Sequence, residues 1–162
     1  MTIALTRIDF RLIHGQVVTQ WVRRLDINRI DVIDTALSEE PFMKNILSMA
    51  APKGIKVNII SIEEALEKQE NNQYSDSSVN YLLLFKTVQQ LYESVEKGLE
   101  LQEVQIGGLG GGPDRKAVNN AITLNEEDAN WLIKIQEKGT KVYLQTTPDY
   151  PSMRLDEAVS KL

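Results

Sequence analysis

Short apolar runs rich in β-branched residues recur along the chain, each followed by a longer segment in which apolar residues return every three or four positions. That alternation is the signature of parallel strands joined by crossover helices. The runs predict strands over residues 3–8, 29–33, 56–61, 79–85, 103–106, 121–124 and 140–145. The helical spacing predicts helices over 16–25, 41–51, 62–69, 88–97 and 126–138, with a short last helix after Leu155. Boundary chemistry agrees with this order. Ser61 with Glu64 and Thr87 with Gln90 have capping-box spacing, and Gly98 and Gly139 follow lysines where a helix would stop. The polar stretch 70–78 reads as an exposed loop inside the domain, because core strands flank it. The expected architecture is α/β: one three-layer α/β/α domain over residues 1–162, built on a mainly parallel, open, twisted sheet.

Composition narrows the function. At 162 residues and 18.3 kDa the chain has the size of one domain that can bury a core without a metal or a disulfide. Cysteine is absent, which excludes thiol catalysis, disulfides and cysteine-ligated zinc. A single histidine leaves only carboxylate-rich metal sites, so neither a metal nor another cofactor is expected. A net charge of −5 and a pI near 5.0 argue against a nucleic-acid footprint, leaving proteins and small molecules as partners. The longest apolar run, around Tyr81-Leu82-Leu83-Leu84-Phe85, is too short to span a bilayer, and the N-terminus lacks the pattern of a secretory signal. The expectation is a soluble, cytoplasmic protein.

The one histidine lies in Arg7-Ile8-Asp9-Phe10-Arg11-Leu12-Ile13-His14-Gly15-Gln16-Val17. If the first strand ends near Ile8, this stretch is the loop at its carboxyl end, the edge where open α/β sheets bind ligands. Neutral imidazole is a nucleophile near pH 7, and a phosphoryl group placed on it needs cations and free backbone N–H groups. The start of the first helix supplies the N–H groups, Arg11 a planar fork of donors, and Gly15 close backbone approach. Asp9 is placed to organise an arginine or to hold the second imidazole nitrogen. The same residues also allow a plainer reading, in which His14 sits at a helix start, Arg7 and Arg11 are solvated and Asp9 forms a turn. Spacing alone leaves both open. A mutase-type histidine phosphatase is disfavoured, since it needs an arginine directly before the histidine and a second histidine.

A second feature is Gly107-Gly108-Leu109-Gly110-Gly111-Gly112-Pro113-Asp114-Arg115, a glycine-rich loop after a strand. It matches neither G-x-x-x-x-G-K-[ST] nor G-x-G-x-x-G, so a nucleotide site has little support and a mobile loop or a close backbone crossing beside the active edge is favoured. Trp21 and Trp131 read as core anchors, Met43 and Met49 as packing residues, and Glu63, Glu64 and Glu67 as a solvated helix face.

Taken together, Arg7 to Val17 with Trp21, Val32-Ile33-Asp34, Met49-Ala50-Ala51-Pro52-Lys53-Gly54, Ile106-Gly107-Gly108 leading to Arg115-Lys116, and Asn125-Glu126-Glu127-Asp128 resemble the mannose/sorbose-family enzyme IIB components of the phosphoenolpyruvate-dependent sugar phosphotransferase system. The resemblance covers essentially the whole chain. It implies that His14 accepts a phosphoryl group from a phosphorylated IIA protein and passes it to a sugar entering through the membrane-embedded IIC and IID proteins. It places Arg11 as the arginine that steadies the phosphoryl group, with Asp9, Gly15, Gln16 and Asp34 around the active loop. Arg7, Gly108, Gly110 and Arg115 fall to a partner or specificity region; by charge, Arg7, Arg11, Arg23 and Arg24 read as a basic rim for an acidic partner, with at least one of Arg23 and Arg24 read as an ordinary solvated helix face. The sugar is a mannose-family hexose or hexosamine, with detail similar to N-acetylgalactosamine systems; self-association is left open. Phe10, Thr35 and Asp114 depart from the family pattern, standing where aspartate, aspartate and glycine are common. The competing function is a noncatalytic anion-binding or regulatory module of the same architecture.

Overall fold

The continuous apolar run Tyr81–Phe85 lies in the middle of the sheet, where a strand covered on both faces needs apolar side chains on both. The structure, a computed structural model, describes residues 3–162. In chain order the elements are β1 (Ile3–Asp9), α1 (Gly15–Arg24), β2 (Arg29–Ile33), α2 (Thr35–Ser38), α3 (Pro41–Met49), β3 (Lys56–Ile60), α4 (Ile62–Glu70), β4 (Tyr81–Phe85), α5 (Val88–Glu96) and β5 (Glu103–Gly108). A small hairpin of β6 (Lys116–Ala117) and β7 (Thr123–Leu124) follows, then α6 (Glu126–Glu137), β8 (Lys141–Leu144), β9 (Met153–Arg154) and α7 (Leu155–Val159). The main sheet runs β3-β2-β4-β1-β5-β8-β9, parallel throughout except for β9.

Two apolar clusters flank the sheet and make the three layers. On one face Val18, Trp21 and Val22 of α1 and Leu47 of α3 pack on Ile30, Val32, Leu82 and Leu84. On the other, Ile62 and Ala65 of α4, Val88 and Leu91 of α5, Leu132 and Ile135 of α6, and Leu155 and Ala158 of α7 pack on Leu83, Phe85, Val104, Ile106 and Leu144. The connection from β1 leads through α1 toward β2, while that from β5 leads through α6 toward β8 on the other side. Neighbouring strands whose connections part in this way open a crevice at their carboxyl ends. The histidine loop follows β1 and the glycine-rich loop follows β5, so topology brings both to one crevice.

Several boundaries differ from expectation, each for a local reason. Ser61 ends the extended run by capping α4, accepting from the N–H of Glu64 at 3.0 Å while Glu64 Oε1 accepts from the Ser61 N–H at 3.3 Å. Thr87 makes only half of that arrangement: it accepts from the Gln90 N–H at 3.2 Å, and Gln90 Oε1 has no partner. Residues 79–80 precede β4 rather than belonging to it. The segment 121–124 does not join the main sheet; only Thr123–Leu124 is strand, paired with Lys116–Ala117. Three short elements, α2, β6 and β9, have too little periodicity to show in sequence. The polar stretch 70–78 is also more than a loop, because a 3-10 turn at Gln73–Ser75 buries Tyr74. Its hydroxyl donates to Asp31 at 2.7 Å, and Lys68 and Asn58 complete the partners of that buried carboxylate. Trp21 is buried as expected, Trp131 half-buried and stacked on Tyr92, but Met49 is 85% exposed and no packing residue.

Candidate functional site

The loop between β1 and α1 is built around the side chain of Asp9. One oxygen, Oδ1, accepts from the Arg11 backbone N–H at 3.1 Å, while the Leu12 N–H donates to the Asp9 carbonyl at 2.9 Å, closing a tight turn. Leu12 takes a left-handed backbone, φ 57°, unusual for a branched side chain, yet its side chain is buried under α1. Such a conformation costs of order 1–3 kcal/mol and persists where surrounding packing over-determines it. Gly15, φ 41°, opens the helix immediately after His14, where any other residue would be strained.

His14 is the residue at the cap position of α1, but its side chain does not cap the helix. Its Nε2 lies 2.9 Å from Asp9 Oδ2. An ionised carboxylate only accepts, so Nε2 carries the hydrogen in the neutral ring and Nδ1 keeps its lone pair. The first turn of α1 contains no acidic residue. The unpaired N–H groups and the positive end of the helix dipole therefore face no competing anion of their own helix. Arg11, with a side chain 42% exposed, approaches Asp9 only through Nε at 3.5 Å, and its guanidinium lies over the Phe10 ring, 5.3 Å from the centroid. The terminal nitrogens of that fork are left for an incoming anion.

The glycine-rich loop leans directly on this turn. The Phe10 N–H donates to the Gly108 carbonyl at 3.1 Å. A Cβ on Gly108 would stand 3.0 Å from Asp9 Oδ1, and one on Gly110 3.3 Å from the Phe10 ring. Arg115 anchors the far side of the loop by donating to Thr123 Oγ1 at 2.9 Å, to the Thr123 carbonyl at 3.0 Å and to Asp128. Between the two loops lies a cleft of about 340 Å³, bordered by Phe10, Arg11, Gly110, Asn119, Asn120 and Thr123. A cleft of about 370 Å³ beside α6 is rimmed instead by Asp114, Glu126 and Glu127 with Lys116 as the single cation, a net acidic rim that disfavours a phosphoryl group.

The structure thus brings His14, Asp9, Arg11, Gly15, Gly108 and Gly110 together and separates others. Gln16 is exposed on the first turn of α1. Asp34 is buried at the same sheet edge, but its carboxylate caps α2 by accepting from the Leu37 N–H at 3.0 Å and makes no hydrogen bond to His14. Arg7 needs a correction: it is 1% exposed inside β1 and belongs to no basic rim or partner loop. It donates to Asp9 Oδ2 at 3.1 Å, to the Gln145 and Thr146 carbonyls at 3.1 and 3.0 Å, and to Gln105 Oε1. Burial pulls its pKa below the ordinary arginine value, opposed by the charge and hydrogen bond of Asp9. Arginine starts so high that the group stays charged. Sequence reasoning missed Gln105 and the 145–146 carbonyls, and read Gly107 only as the start of the glycine-rich loop, not as the seat of Arg7. Gln105 alone left a signal, as a polar residue between Val104 and Ile106 in a strand buried on both faces.

Comparison with known proteins identifies the family of the chain. The family model described as the PTS system sorbose subfamily IIB component matches residues 3–161. The sorbose-specific EIIB component of Klebsiella pneumoniae is 32% identical over 161 residues, covering 99% of this chain and 97% of that protein. The crystal structure of the IIB domain of the sorbose permease from the same organism superposes with a TM-score of 0.89 at 30% identity, covering 99% of this chain and 98% of the other. The mannose-specific EIIAB component of Escherichia coli strain K12 is 28% identical over 162 residues, all of this chain but half of that protein.

Proposed function

Since the chain belongs to the sorbose subfamily of IIB components of the sugar phosphotransferase system, we propose that it is a phosphocarrier whose His14 receives a phosphoryl group from a phosphohistidine on a IIA partner and delivers it to a sugar. The observation that carries this reading is the His14 Nε2 contact with Asp9 at 2.9 Å. It commits one ring nitrogen and leaves Nδ1 as nucleophile at a helix start.

In the first step the Nδ1 lone pair attacks phosphorus. The Nδ1–P bond forms as the donor's N–P bond breaks, and that electron pair returns to the donor imidazole. Nε2 keeps its hydrogen on Asp9, so no net proton moves. The transferred group has little covalent chemistry left for the protein to assist, so positioning and charge stabilisation suffice. Arg11 and the first-turn N–H groups of α1, Gln16 among them, supply that stabilisation with no metal or nucleotide required. In the second step a sugar hydroxyl attacks phosphorus, the Nδ1–P bond breaks and the hydroxyl proton leaves to a base or water.

The partners in this reading are phosphorylated IIA, membrane-embedded IIC and IID, and a hexose or hexosamine of the mannose family, N-acetylgalactosamine included. Among the described residues no helix is long and apolar enough to cross a membrane. In this reading the protein meets the membrane through its partners, from the cytoplasm. On the same reading a partner reaching His14 also touches the glycine-rich loop, which the closeness of Gly108 to Asp9 and of Gly110 to Phe10 supports.

Intact mass after incubation with phosphoenolpyruvate, the general phosphotransfer proteins and a cognate IIA tests the proposal. One acid-labile phosphate is expected on the wild type and none on His14→Ala. Absence of phosphate with IIA demonstrably phosphorylated would overturn the carrier role in favour of an anion-binding module.

A further inference from the structure

Arg7 is a charged side chain buried in β1 beside Thr6 and Asp9, and the fold makes unusual room for it. A Cβ on Gly107 would lie 1.9 Å from the Arg7 guanidinium carbon, so the guanidinium occupies the space a side chain would need there. Trp21 closes the other side, its ring centroid 5.9 Å from the guanidinium carbon and its Nε1 donating to the Thr146 carbonyl at 3.0 Å. Gln105, paired in register with Arg7, accepts from it and in turn reaches the Tyr143 hydroxyl at 3.5 Å. Yet Arg7 Nε has no partner. Burying an ion pair is a poor route to stability, because desolvation consumes most of the attraction. The arrangement calls for another account.

That account lies in which oxygen Arg7 holds. Asp9 Oδ2 accepts both from Arg7 Nη2 at 3.1 Å and from His14 Nε2 at 2.9 Å. A buried carboxylate facing an imidazole alone would favour the imidazolium, which has no lone pair and cannot attack phosphorus. A fixed cation on the same oxygen offsets that pull while leaving the oxygen able to accept. Asp9 is the carboxylate that contacts His14 among the described residues, and Arg11 approaches the opposite oxygen from the exposed side. We infer that Arg7 is a positioning residue for phosphoryl transfer: seated on Gly107, it fixes Asp9 and offsets its charge so that His14 presents a neutral, unprotonated Nδ1. This rests on the carrier reading of His14 and says how that nucleophile is prepared.

The test uses Arg7→Met, Gly107→Ala, Asp9→Asn and the double variant Arg7→Met/Asp9→Asn, each checked for native circular dichroism. Nitrogen-15 NMR of histidine-labelled, unphosphorylated protein at neutral pH should show the Nε2–H form in the wild type and a shift toward imidazolium or mixed tautomers in Arg7→Met and Gly107→Ala. Phosphorylation of His14 by phospho-IIA should slow by about a hundredfold in Arg7→Met, the scale expected when a reacting group is misplaced by about an ångström. Adding Arg7→Met to Asp9→Asn should cost little more, because the carboxylate through which Arg7 acts is already gone. A folded Arg7→Met with wild-type tautomer and rate overturns the inference, as does an equal loss in the Asp9→Asn background. If Arg7→Met does not fold, Gly107→Ala decides: a wild-type spectrum and rate there overturn it, and a shifted spectrum with slowed transfer supports it. Failure of the wild type to take phosphate would sink the carrier reading, while the tautomer shift would still decide the role of Arg7.

Discussion

The guanidinium of Arg11 touches Asp9 through Nε at 3.5 Å and otherwise lies over the Phe10 ring, leaving its planar fork turned to the crevice. Lysine at this position would keep the charge and lose the two-pronged geometry. Arg11→Lys should therefore slow phosphoryl transfer by about a hundredfold, comparable to losing one transition-state donor. Stability should change by less than about 0.5 kcal/mol, as for a surface substitution. Stopped-flow transfer from phospho-IIA and urea denaturation check the two halves, and wild-type transfer would remove Arg11 from the mechanism. Phe10 belongs to the same small assembly. Its aromatic ring supports the arginine and packs against Gly110.

At the scale of the element, the loop from β5 to α6 is a glycine-rich strap pinned by backbone bonds of Leu109 to Ala121 and Thr123 and by a side-chain anchor at Arg115. Arg115 donates to both oxygens of Thr123 and to Asp128, and Thr123 Oγ1 reaches the Gly110 carbonyl. Asn125 caps α6 next to this cluster by accepting from the Asp128 N–H at 2.7 Å. Arg115→Lys should loosen the strap: amide exchange over residues 109–124 should speed up relative to the sheet, and stability should fall by about 1.5–3 kcal/mol, the range for a charged hydrogen bond. Unchanged exchange would show that the hairpin of β6 and β7 holds itself. The sequence made this loop visible as glycines, but not its anchor, because Arg115, Thr123 and Asp128 meet only after the hairpin turns back.

Across the whole molecule, the transfer crevice at the carboxyl edge is separate from the buried polar cluster around Asp31. Tyr74 donates to Asp31 and meets Tyr81 edge to face, ring centroids 5.0 Å apart. Burial, then the charge of Asp31, pushes the Tyr74 hydroxyl above its ordinary value of 10.0. A raised folded-state value means that the contribution is complete below the unfolded value and is lost as pH rises above it. Tyr74→Phe should cost about 2 kcal/mol at neutral pH, the range for a hydrogen bond to a charged group. The gap from wild type should narrow above about pH 10, with His14 phosphorylation unaffected throughout. Denaturation curves at pH 7 and at stepwise higher pH test this; a gap independent of pH would mean the hydroxyl is not held neutral by the fold.

What the sequence by itself determined was whatever depends on neighbours along the chain. Strand and helix periodicity, the Ser61–Glu64 box, the loop placing His14 and Gly15 at a helix start, and Asp9 and Arg11 around them are all local chemistry. Only the tertiary structure decided what depends on strand order. It put β5 beside β1, set Gly107 against Arg7, and moved Arg7 from the expected rim to the interior. It also gave Asp34 to α2, left Met49 in solvent, and folded the 70–78 stretch back over Asp31. The physical reason is that periodicity reports which side of an element is buried. What covers that side is settled by contacts between residues far apart in the chain, such as Arg7 with Gln105, Gln145 and Thr146.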